Sequence, residues 1–450
     1  MVPVAGGHNS IGPASAEAFA RAEKVFIDGT TRITIERDPI PRYMARGEGA
    51  YLIDIDGRRF LDLNGNFTTL IHGHAFAPVV EAVTRQLQSG SSFANPTLPE
   101  IELAELICGR VPGIETIRFV NTGSEAVLFA IKAARAYTGR PAIAKIEGAY
   151  HGCYDWAEVS QASTPETWGD ESEPRATPLY RGMPPSVLEE VVTLRFNDAA
   201  GAERLIAKHA HRLAAVLLDP MPSRAGLIPP TREFLDAVSR AARAHNVLLI
   251  ADEVLNFRQG YHGASVRLGV RPDLFTLGKI IGGGLPIGAI GGSREVMRVF
   301  DAGDRKTALP QGGTFSANPL SMVAGFASMQ ALDHPGFAHL EELGQRLRSG
   351  LSQVIAKADA PFTVTGAASL FRIHPKRVAP REYRESIATP AQAHVMRELS
   401  RAYAAAGVIL PLAATACVST PMTTEDIDHV VEVLSDFLAK CGDLIESMEA

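Results

Sequence analysis

Short apolar runs alternate with amphipathic stretches through the middle of this 450-residue chain. The amphipathic stretch 123–139 has apolar residues at Val127, Ile131 and Ala134, a spacing that is typical of a helix with one buried face. The apolar runs have the length of buried strands, and they occupy residues 116–120, 214–221, 247–254 and 272–279. Strands and helices that alternate in this way predict a mainly parallel sheet covered by helices.

The two ends of the chain have different patterns. Residues 49–65 alternate in a way that predicts a hairpin, with Asp56 and Gly57 in its turn. Residues 423–442 have an acidic first turn and an apolar stripe, which predicts a packed terminal helix. The predicted fold is therefore α/β, with a large domain at residues 76–320 and a smaller α+β domain formed by both termini, residues 1–75 and 321–450.

The composition indicates an ordinary soluble protein. A net charge of −6 gives no general attraction to nucleic acid or anionic lipid, and no apolar run reaches the roughly 18 residues of a membrane-spanning helix. The first residues do not form a signal peptide, so we expect a cytoplasmic location. The cysteines form no CxxC pair, which predicts neither disulfides nor a metal site; they are Cys108, Cys153, Cys417 and Cys441.

A polar turn follows the strand predicted at residues 116–120. Thr122, Gly123 and Ser124 stand where the next helix should begin, so backbone N–H groups and two hydroxyls could bind an anion such as phosphate. The same residue types are good helix caps. By itself this turn is compatible with either role.

Two ionisable residues follow later strands. Asp252 could bind a buried cation or cap the next turn, and Lys279 could be a nucleophile toward aldehydes or a solvated surface lysine. Together with the possible phosphate site at residues 122–124, Asp252 and Lys279 suit the binding of pyridoxal 5′-phosphate. The lysine would form the Schiff base, and the aspartate would keep the ring nitrogen protonated so that the ring accepts electrons. The glycines 282–284 would let the backbone pass close to the ring.

The chain resembles the class III (ω-) aminotransferases of the PLP-dependent transferase fold type I, and in particular their glutamate-1-semialdehyde aminomutase-like branch, which includes β-amino-acid aminotransferases. The resemblance covers most of the chain. The motifs that carry it are ARGEGAYLIDIDG (45–57), NTGSEA (121–126), EGAYHG (147–152), IADEV (250–254), TLGKIIGGGLPIGAIGG (276–292) and QGGTFSANPL (311–320).

The resemblance implies a role in cofactor binding for a set of residues. Thr122, Gly123 and Ser124 would hold the phosphate, Tyr150 would stack on the ring, Asp252 would pair with its nitrogen, Val254 would pack beneath it, and Lys279 would carry the Schiff base. Thr314 would reach the phosphate of a second subunit, so the resemblance implies a homodimer with shared active sites. As bare sequence features, Tyr150 could equally be a core aromatic and Thr314 a turn residue.

The implied activity is transfer of an amino group from an amino acid or amine to a 2-keto acid such as pyruvate or 2-oxoglutarate. Relatives in this branch bind the substrate carboxylate with an arginine in the N-terminal segment, which corresponds to Arg32, and line the site with an aromatic residue, which corresponds to Phe67. Both could instead be structural. Arg258 is a second candidate cation, and structural pairing explains it equally well.

Two departures from the family pattern bear on the substrate. Residues 410–422 contain no acid where aminomutases carry a gating glutamate, and offer Ala413 where β-phenylalanine enzymes tend to have an arginine. Asp219 stands where the family usually has glutamate. A wall of Leu412, Ala413 and Ala414 would favour an apolar or aromatic substituent on the donor, possibly a β-amino acid.

Other functions remain open at this stage. The same fold supports the aminomutase and racemases, and a non-catalytic protein of this fold would be a binding module. The donor, its stereochemistry, the preferred keto acid and the choice between dimer and tetramer are not determined by the sequence.

Overall fold

The structure is a computed structural model that describes residues 11–303, 309–412, 415–446 and 448. It divides into two compact units. The terminal unit consists of Met1–Phe76, His339–Ala379 and Ala388–Ala450, and the central unit consists of Ala77–Ala338 and Pro380–Ile387. The sequence placed the domain boundaries at 75 and 320; in this division the central unit extends to 338 and includes a second, short segment.

The strands of the described chain are β1 (Met44–Glu48), β2 (Tyr51–Asp54), β3 (Arg59–Asp62), β4 (Thr116–Val120), β5 (Ala142–Ile146), β6 (Val191–Leu194), β7 (Leu213–Leu218), β8 (Leu248–Asp252), β9 (Leu274–Gly278), β10 (Gly288–Gly292), β11 (Thr363–Thr365), β12 (Leu370–His374), β13 (Val408–Ile409) and β14 (Ala416–Cys417).

The helices of the described chain are α1 (Pro13–Ala22), α2 (Gly65–Thr68), α3 (Ala77–Ser89), α4 (Leu98–Arg110), α5 (Gly123–Thr138), α6 (Asp155–Glu158), α7 (Pro185–Glu189), α8 (Ala199–His209), α9 (Arg232–Ala244), α10 (Ala264–Arg267), α11 (Arg294–Met297), α12 (Pro319–Ala331), α13 (His334–Lys357), α14 (Tyr383–Ser386), α15 (Pro390–Ala405), α16 (Thr424–Lys440) and α17 (Gly442–Glu446).

A seven-stranded sheet forms the middle of the central unit, in the order β4-β10-β9-β8-β7-β5-β6. Strand β10 is antiparallel to both of its neighbours, and the other strands run parallel to one another. This arrangement confirms the predicted α/β fold with a mainly parallel sheet. Strands β5, β7, β8 and β9 are buried along their whole length, as expected of strands covered on both faces.

Helix α5 confirms the helix with one buried face that the amphipathic pattern predicts. Val127, Ile131 and Ala134 are all at most 1% exposed, so the predicted stripe is the buried face of the helix. They belong to one apolar cluster that also includes strand residues such as Ile250 and Ile290. The helix ends at Gly139, whose left-handed conformation lets its N–H reach the Arg135 carbonyl oxygen.

The terminal unit contains two small sheets, β1-β2-β3-β13 and β11-β12-β14. Strands β2 and β3 pair in antiparallel fashion on either side of Gly57, whose φ is +83°, which confirms the hairpin predicted there. Helix α16 confirms the predicted terminal helix. Its Thr423 cap and Asp426 form a capping box, and its apolar stripe is buried.

The helices of the described chain include none with the length and apolarity needed to cross a lipid bilayer. No disulfide bond joins the cysteines of the described chain.

Gly288 marks a close approach between two backbones at the start of β10. A Cβ atom at this position would clash with the carbonyl oxygen of Thr122. We therefore expect Gly288→Ala to lower the free energy of unfolding by about 1–3 kcal/mol. Gly109→Ala is a matched control, because a Cβ there meets nothing within 4 Å. Urea denaturation of both variants tests this, and equal midpoints would contradict the close approach.

Candidate active site

The carboxyl ends of six parallel strands, β4, β9, β8, β7, β5 and β6, lie along one edge of the central sheet. Ligands of such sheets bind beyond this edge. Three of the predicted cofactor residues follow directly from it, since Thr122 comes after β4, Asp252 ends β8 and Lys279 comes after β9.

Thr122 is the N-cap of α5, and its hydroxyl oxygen accepts a hydrogen bond from the Glu125 N–H at 3.0 Å. The Ser124 hydroxyl oxygen accepts one from the Cys153 N–H at 3.1 Å. The capping role is therefore real. It is compatible with anion binding, because the first N–H groups of a helix have no partner within the helix and attract negative charge. The 16-residue length of α5 supports such a site.

Val254 lies between two glycines of neighbouring loops. A Cβ atom on Gly123 would lie 2.8 Å from the Val254 Cγ1, and one on Gly278 would lie 3.3 Å from the same atom. The Val254 side chain therefore occupies the space that a side chain at Gly123 or Gly278 would need. Gly123 directly follows the Thr122 cap of α5 and Gly278 directly precedes Lys279, so Val254 packs beside two of the predicted cofactor segments.

Asp252 is 4% exposed, and three donors satisfy its carboxylate. The His151 Nδ1 lies 2.7 Å from Oδ2, while the Thr276 hydroxyl and the Val254 N–H each lie 3.0 Å from Oδ1. A buried carboxylate held in this way is oriented by its neighbours rather than by solvent. The bond from the Val254 N–H is the predicted capping contact, and the pairing with a cationic ring nitrogen stays a prediction.

Burial lowers the pKa of His151, because the cationic imidazolium cannot be solvated there, although its hydrogen bond with Asp252 acts in the opposite direction. A neutral imidazole donates from Nδ1 to Asp252. Its Nε2 is buried and finds no hydrogen-bond partner in the part of the chain that the structure describes.

Asp219 is a second buried carboxyl group of this site. Its pKa is raised well above the ordinary value, first by burial and then by the negative charge of Asp252, while the positive charge of Lys279 lowers it. Asp219 accepts hydrogen bonds from the Met221 N–H at 2.9 Å and from the Asn256 side chain at 2.6 Å. These interactions bring Asp219, Asp252 and Lys279 into one electrostatic neighbourhood.

Lys279 is half-buried and has a φ of +50°, a left-handed conformation that is unusual for lysine. Strain of this kind is concentrated at functional sites. Backbone conformation and close packing account for one of the glycines that follow Lys279. Gly283 has a φ of +58° and packs so closely on α12 that a Cβ would clash with the Ala324 carbonyl oxygen. The turn and the helix contact account for Gly283, and the predicted approach of glycines 282–284 to a ring stays a prediction.

Tyr150 is 43% exposed, in the loop after β5, so its ring is available for stacking on a ligand. The guanidinium carbon of Arg224 lies 4.9 Å from the ring centroid. Partial burial raises the pKa of the Tyr150 hydroxyl, so the phenol stays neutral. Thr314 is exposed, and the adjacent Phe315 is 59% exposed.

Arg32 and Phe67 both belong to the terminal unit. The guanidinium carbon of Arg32 lies 5.8 Å from the centroid of the Phe67 ring. Phe67 lies in α2, whose four residues have positive φ values between 51° and 71°, so this turn is left-handed. The Asn64 side chain accepts a hydrogen bond from the Phe67 N–H at 2.5 Å, and Asp62 accepts one from the Gly65 N–H at 3.1 Å.

Of the other predicted substrate contacts, the structure describes Arg258 and Leu412. Arg258 has no exposed surface, which favours structural pairing over contact with a diffusing substrate. Leu412 is partly buried, and Ala413 and Ala414 lie outside the described residues. The proposed apolar wall therefore stays a prediction.

Sequence reasoning missed two neighbours of the site, His151 and Arg224. His151 is adjacent to Tyr150 in the sequence, but its partner Asp252 is 101 residues away, so only the fold reveals the pair. Arg224 lies in the loop after β7, the strand next to β5, and a loop arginine without a pattern carries no signal.

Comparison with known proteins agrees with this geometry. Residues 33–438 match the family described as aminotransferase class-III. A solved ω-transaminase from Sphaerobacter thermophilus is 46% identical, with a TM-score of 0.93 over 96% of this chain and 98% of the other. A β-phenylalanine aminotransferase from Variovorax paradoxus is 33% identical, with a TM-score of 0.86 over 96% and 95%.

A curated glutamate-1-semialdehyde 2,1-aminomutase from Thermomicrobium roseum is 39% identical over 409 residues, which cover 89% of this chain and 91% of that protein. Similarity to this extent does not separate the transaminases from the aminomutases.

The lowered pKa of His151 makes stability depend on pH. In the unfolded chain a histidine takes up a proton near pH 6.5, whereas the buried His151 resists protonation. Stability is therefore lost as the pH falls below about 6.5, by at most about 1.4 kcal/mol per pH unit for this one proton.

We expect His151→Asn to reduce this loss, because the amide can still donate to Asp252 and does not titrate. Urea unfolding at pH 5, 6 and 7 measures the effect. His211→Asn, which replaces an exposed histidine, is the control for removing an imidazole. An identical pH dependence in wild type and His151→Asn would contradict a neutral, buried His151.

Proposed function

The chain belongs to the class-III aminotransferases, and on that premise we propose that it moves an amino group from an amino acid or amine with an apolar or aromatic side chain to a 2-keto acid such as pyruvate or 2-oxoglutarate. The cofactor of this family is pyridoxal 5′-phosphate. The observation that carries the proposal is the buried, triply hydrogen-bonded Asp252, which shares an electrostatic neighbourhood with Lys279 at the edge of the sheet.

The residues of the central unit fit this cofactor. The cap of α5, with Thr122, Gly123 and Ser124, would bind the phosphate, and Tyr150 and Val254 would flank the ring. When bound, the cofactor supplies an aldehyde carbon that takes up amines and a ring that accepts electrons.

Asp252 and Lys279 would do the acid–base work. The Asp252 carboxylate would hold a proton on the ring nitrogen, and the neutral His151 keeps that carboxylate in a fixed orientation. The Lys279 Nζ would hold the aldehyde carbon of the cofactor, and as a free amine it would accept a proton from the substrate carbon and return it.

Substrate recognition is assigned to the terminal unit. The Arg32 guanidinium can form two parallel hydrogen bonds to a carboxylate, and the nearby Phe67 ring offers an apolar contact. This combination suits a donor that carries both a carboxylate and an apolar or aromatic group. The β-phenylalanine aminotransferase among the similar structures is active on a substrate of that kind, as its name states.

Two further features belong to the proposal. The exposed Thr314 and Phe315 suit a homodimer in which Thr314 reaches the phosphate of a second subunit. We also propose a cytoplasmic location, where keto acids and amino acids are abundant.

The second candidate function is that of a glutamate-1-semialdehyde 2,1-aminomutase. It is favoured by the name of the curated relative that is 39% identical to this chain. An aminomutase moves the amino group within one substrate and needs no external keto acid. Turnover that requires added pyruvate or 2-oxoglutarate supports the aminotransferase, and turnover of glutamate-1-semialdehyde alone supports the aminomutase.

Lys279→Ala should abolish amino transfer, because no other group is assigned to hold the aldehyde and move the proton. A donor screen on the cofactor-loaded protein, followed by its visible absorbance, would identify the amines that convert the wild type. Lys208→Ala, which removes an exposed lysine from helix α8, is the matched control and should behave as wild type. Wild-type turnover by purified Lys279→Ala would refute the assignment.

Arg32→Met should raise KM for carboxylate-bearing donors by about 10- to 100-fold, the value of one charge-assisted interaction. For 1-phenylethylamine, which has no carboxylate, KM should stay within about twofold. Arg21→Met removes another exposed arginine of the same segment and serves as control. Equal losses on both kinds of donor would show that Arg32 has a structural role.

A further inference from the structure

The short segment 380–387 belongs to the central unit, although the chain on both sides of it, His339–Ala379 and Ala388–Ala450, belongs to the terminal unit. We call residues 380–387 the anchor segment. It contains one short helix, α14, and two arginines, Arg381 and Arg384.

Arg384 of the anchor segment forms a buried ion pair with Glu147, the first residue after β5. Its Nε lies 2.7 Å from the Glu147 Oε2, and the two side chains are 7% and 1% exposed. The same guanidinium donates to the Trp168 carbonyl oxygen at 3.1 Å, and its carbon lies 4.9 Å from the Trp168 ring. The Ser163 hydroxyl also donates to Glu147, at 3.0 Å.

Tyr383 contacts Gly148, the residue after Glu147 in the loop that follows β5. Its ring occupies the space that a side chain at Gly148 would need, and Gly148 has a φ of +75°. The Tyr383 hydroxyl donates to the Ser163 carbonyl oxygen at 2.8 Å. Burial raises the pKa of Tyr383 to about 12, so this donor keeps its proton at neutral pH.

The loop is also held from the side of the sheet. Lys145 has no exposed surface, and its side-chain nitrogen donates to the Ala149 carbonyl oxygen at 3.2 Å and to the Val159 carbonyl oxygen at 2.7 Å. The backbone at 147–149 is thus fixed by Lys145 on one side and by the anchor segment on the other. Tyr150 and His151 follow immediately.

We propose that Arg384 and Tyr383 are positioning residues for the cofactor site: through Glu147 and Gly148 they set the place of Tyr150, and the hydrogen bond of His151 to Asp252. The inference rests on the proposed function, since it assigns the ring contact to Tyr150. It adds an element from near residue 380 to a site whose other residues lie before residue 315.

The chemistry of the pair agrees with a positioning role. A buried ion pair contributes little net stability, because desolvation offsets the attraction, but a guanidinium fork fixes geometry. Arg384 reaches a carboxylate, two backbone carbonyl oxygens and an aromatic face at once, the carbonyls being those of Trp168 and Gly169.

The test compares Arg384→Met with Arg381→Met. Arg381 lies in the same segment, but its side chain is 82% exposed and pairs with Glu385. In Arg384→Met we expect the dissociation constant for pyridoxal 5′-phosphate, measured by absorbance titration of the apoprotein, to rise about 10-fold or more, a typical loss when a residue acts through another. We expect kcat to fall by up to about 100-fold, because a small displacement of groups around the reacting atoms can lower the rate by this factor. Arg381→Met should match wild type in both.

The fluorescence of Trp168 reports the contact between Arg384 and the Trp168 ring, and it does so independently of the cofactor. In a Trp156→Phe background, where Trp168 is the remaining tryptophan of the chain, Arg384→Met should shift its emission to longer wavelength and increase its quenching by acrylamide. The Arg381→Met change in this background should leave the emission as it was.

Loss of stability is separated from loss of position by the double variant Glu147→Gln/Arg384→Met. It leaves no unpaired charge, so its melting temperature should recover relative to Arg384→Met. Cofactor affinity should stay low, because methionine cannot hold the loop. If the cofactor affinity recovers together with the melting temperature, the positioning role is overturned.

The remaining outcomes are also decisive. If Arg384→Met does not fold, Tyr383→Phe, which removes one hydrogen bond, takes its place and should weaken cofactor binding by a smaller factor. If the variant that folds, Arg384→Met or Tyr383→Phe, binds the cofactor as tightly as wild type, the positioning role is refuted. Failure of the wild type to bind pyridoxal 5′-phosphate would instead overturn the proposed function.

Discussion

A carboxylate buried at the end of a central strand is the constraint on which the site depends. Asp252 is 4% exposed, and charge is costly at such a place unless donors surround it. The fold supplies them from separate parts of the chain, His151 from the loop after β5 and Thr276 from the neighbouring strand β9. The strand order places β9 beside β8. The parallel sheet is therefore what makes a buried carboxylate tolerable here.

A second acid at the same edge sharpens this constraint. Two buried carboxyl groups close together cannot both ionise at low cost. Asp252 has three donors that include an imidazole, whereas the pKa of Asp219 is raised by burial and by the Asp252 charge. The raised pKa favours the neutral form of Asp219, while the three donors orient the Asp252 side chain for the proposed contact with a ring nitrogen.

Much of this could be predicted from the sequence because the relevant signals are local. The period of α5 and the apolar strand runs placed Thr122, Asp252 and Lys279 at strand ends, and the fold places those strand ends along one edge. The roles of those residues stay predictions. The left-handed backbone of Lys279 and the reason for Gly283 could not be predicted, because both depend on contacts between distant segments. The same holds for His151 and Arg384, whose partners are separated from them by 101 and 237 residues.

The proposed cofactor residues and the proposed substrate residues fall in different units, and this would account for the mixed names of the relatives. The residues assigned to the cofactor, from Thr122 to Thr314, all belong to the central unit, and Arg32 and Phe67 belong to the terminal unit. Phe67 sits in a left-handed turn that costs roughly 1–2 kcal/mol per non-glycine residue, so the surrounding hydrogen bonds must hold it there. Under the proposed roles, changes confined to such a turn would alter which substrate is accepted, while Asp252 and Lys279 would keep the same acid–base chemistry. Transaminases and aminomutases can therefore share this much of their sequence and still differ in what they act on.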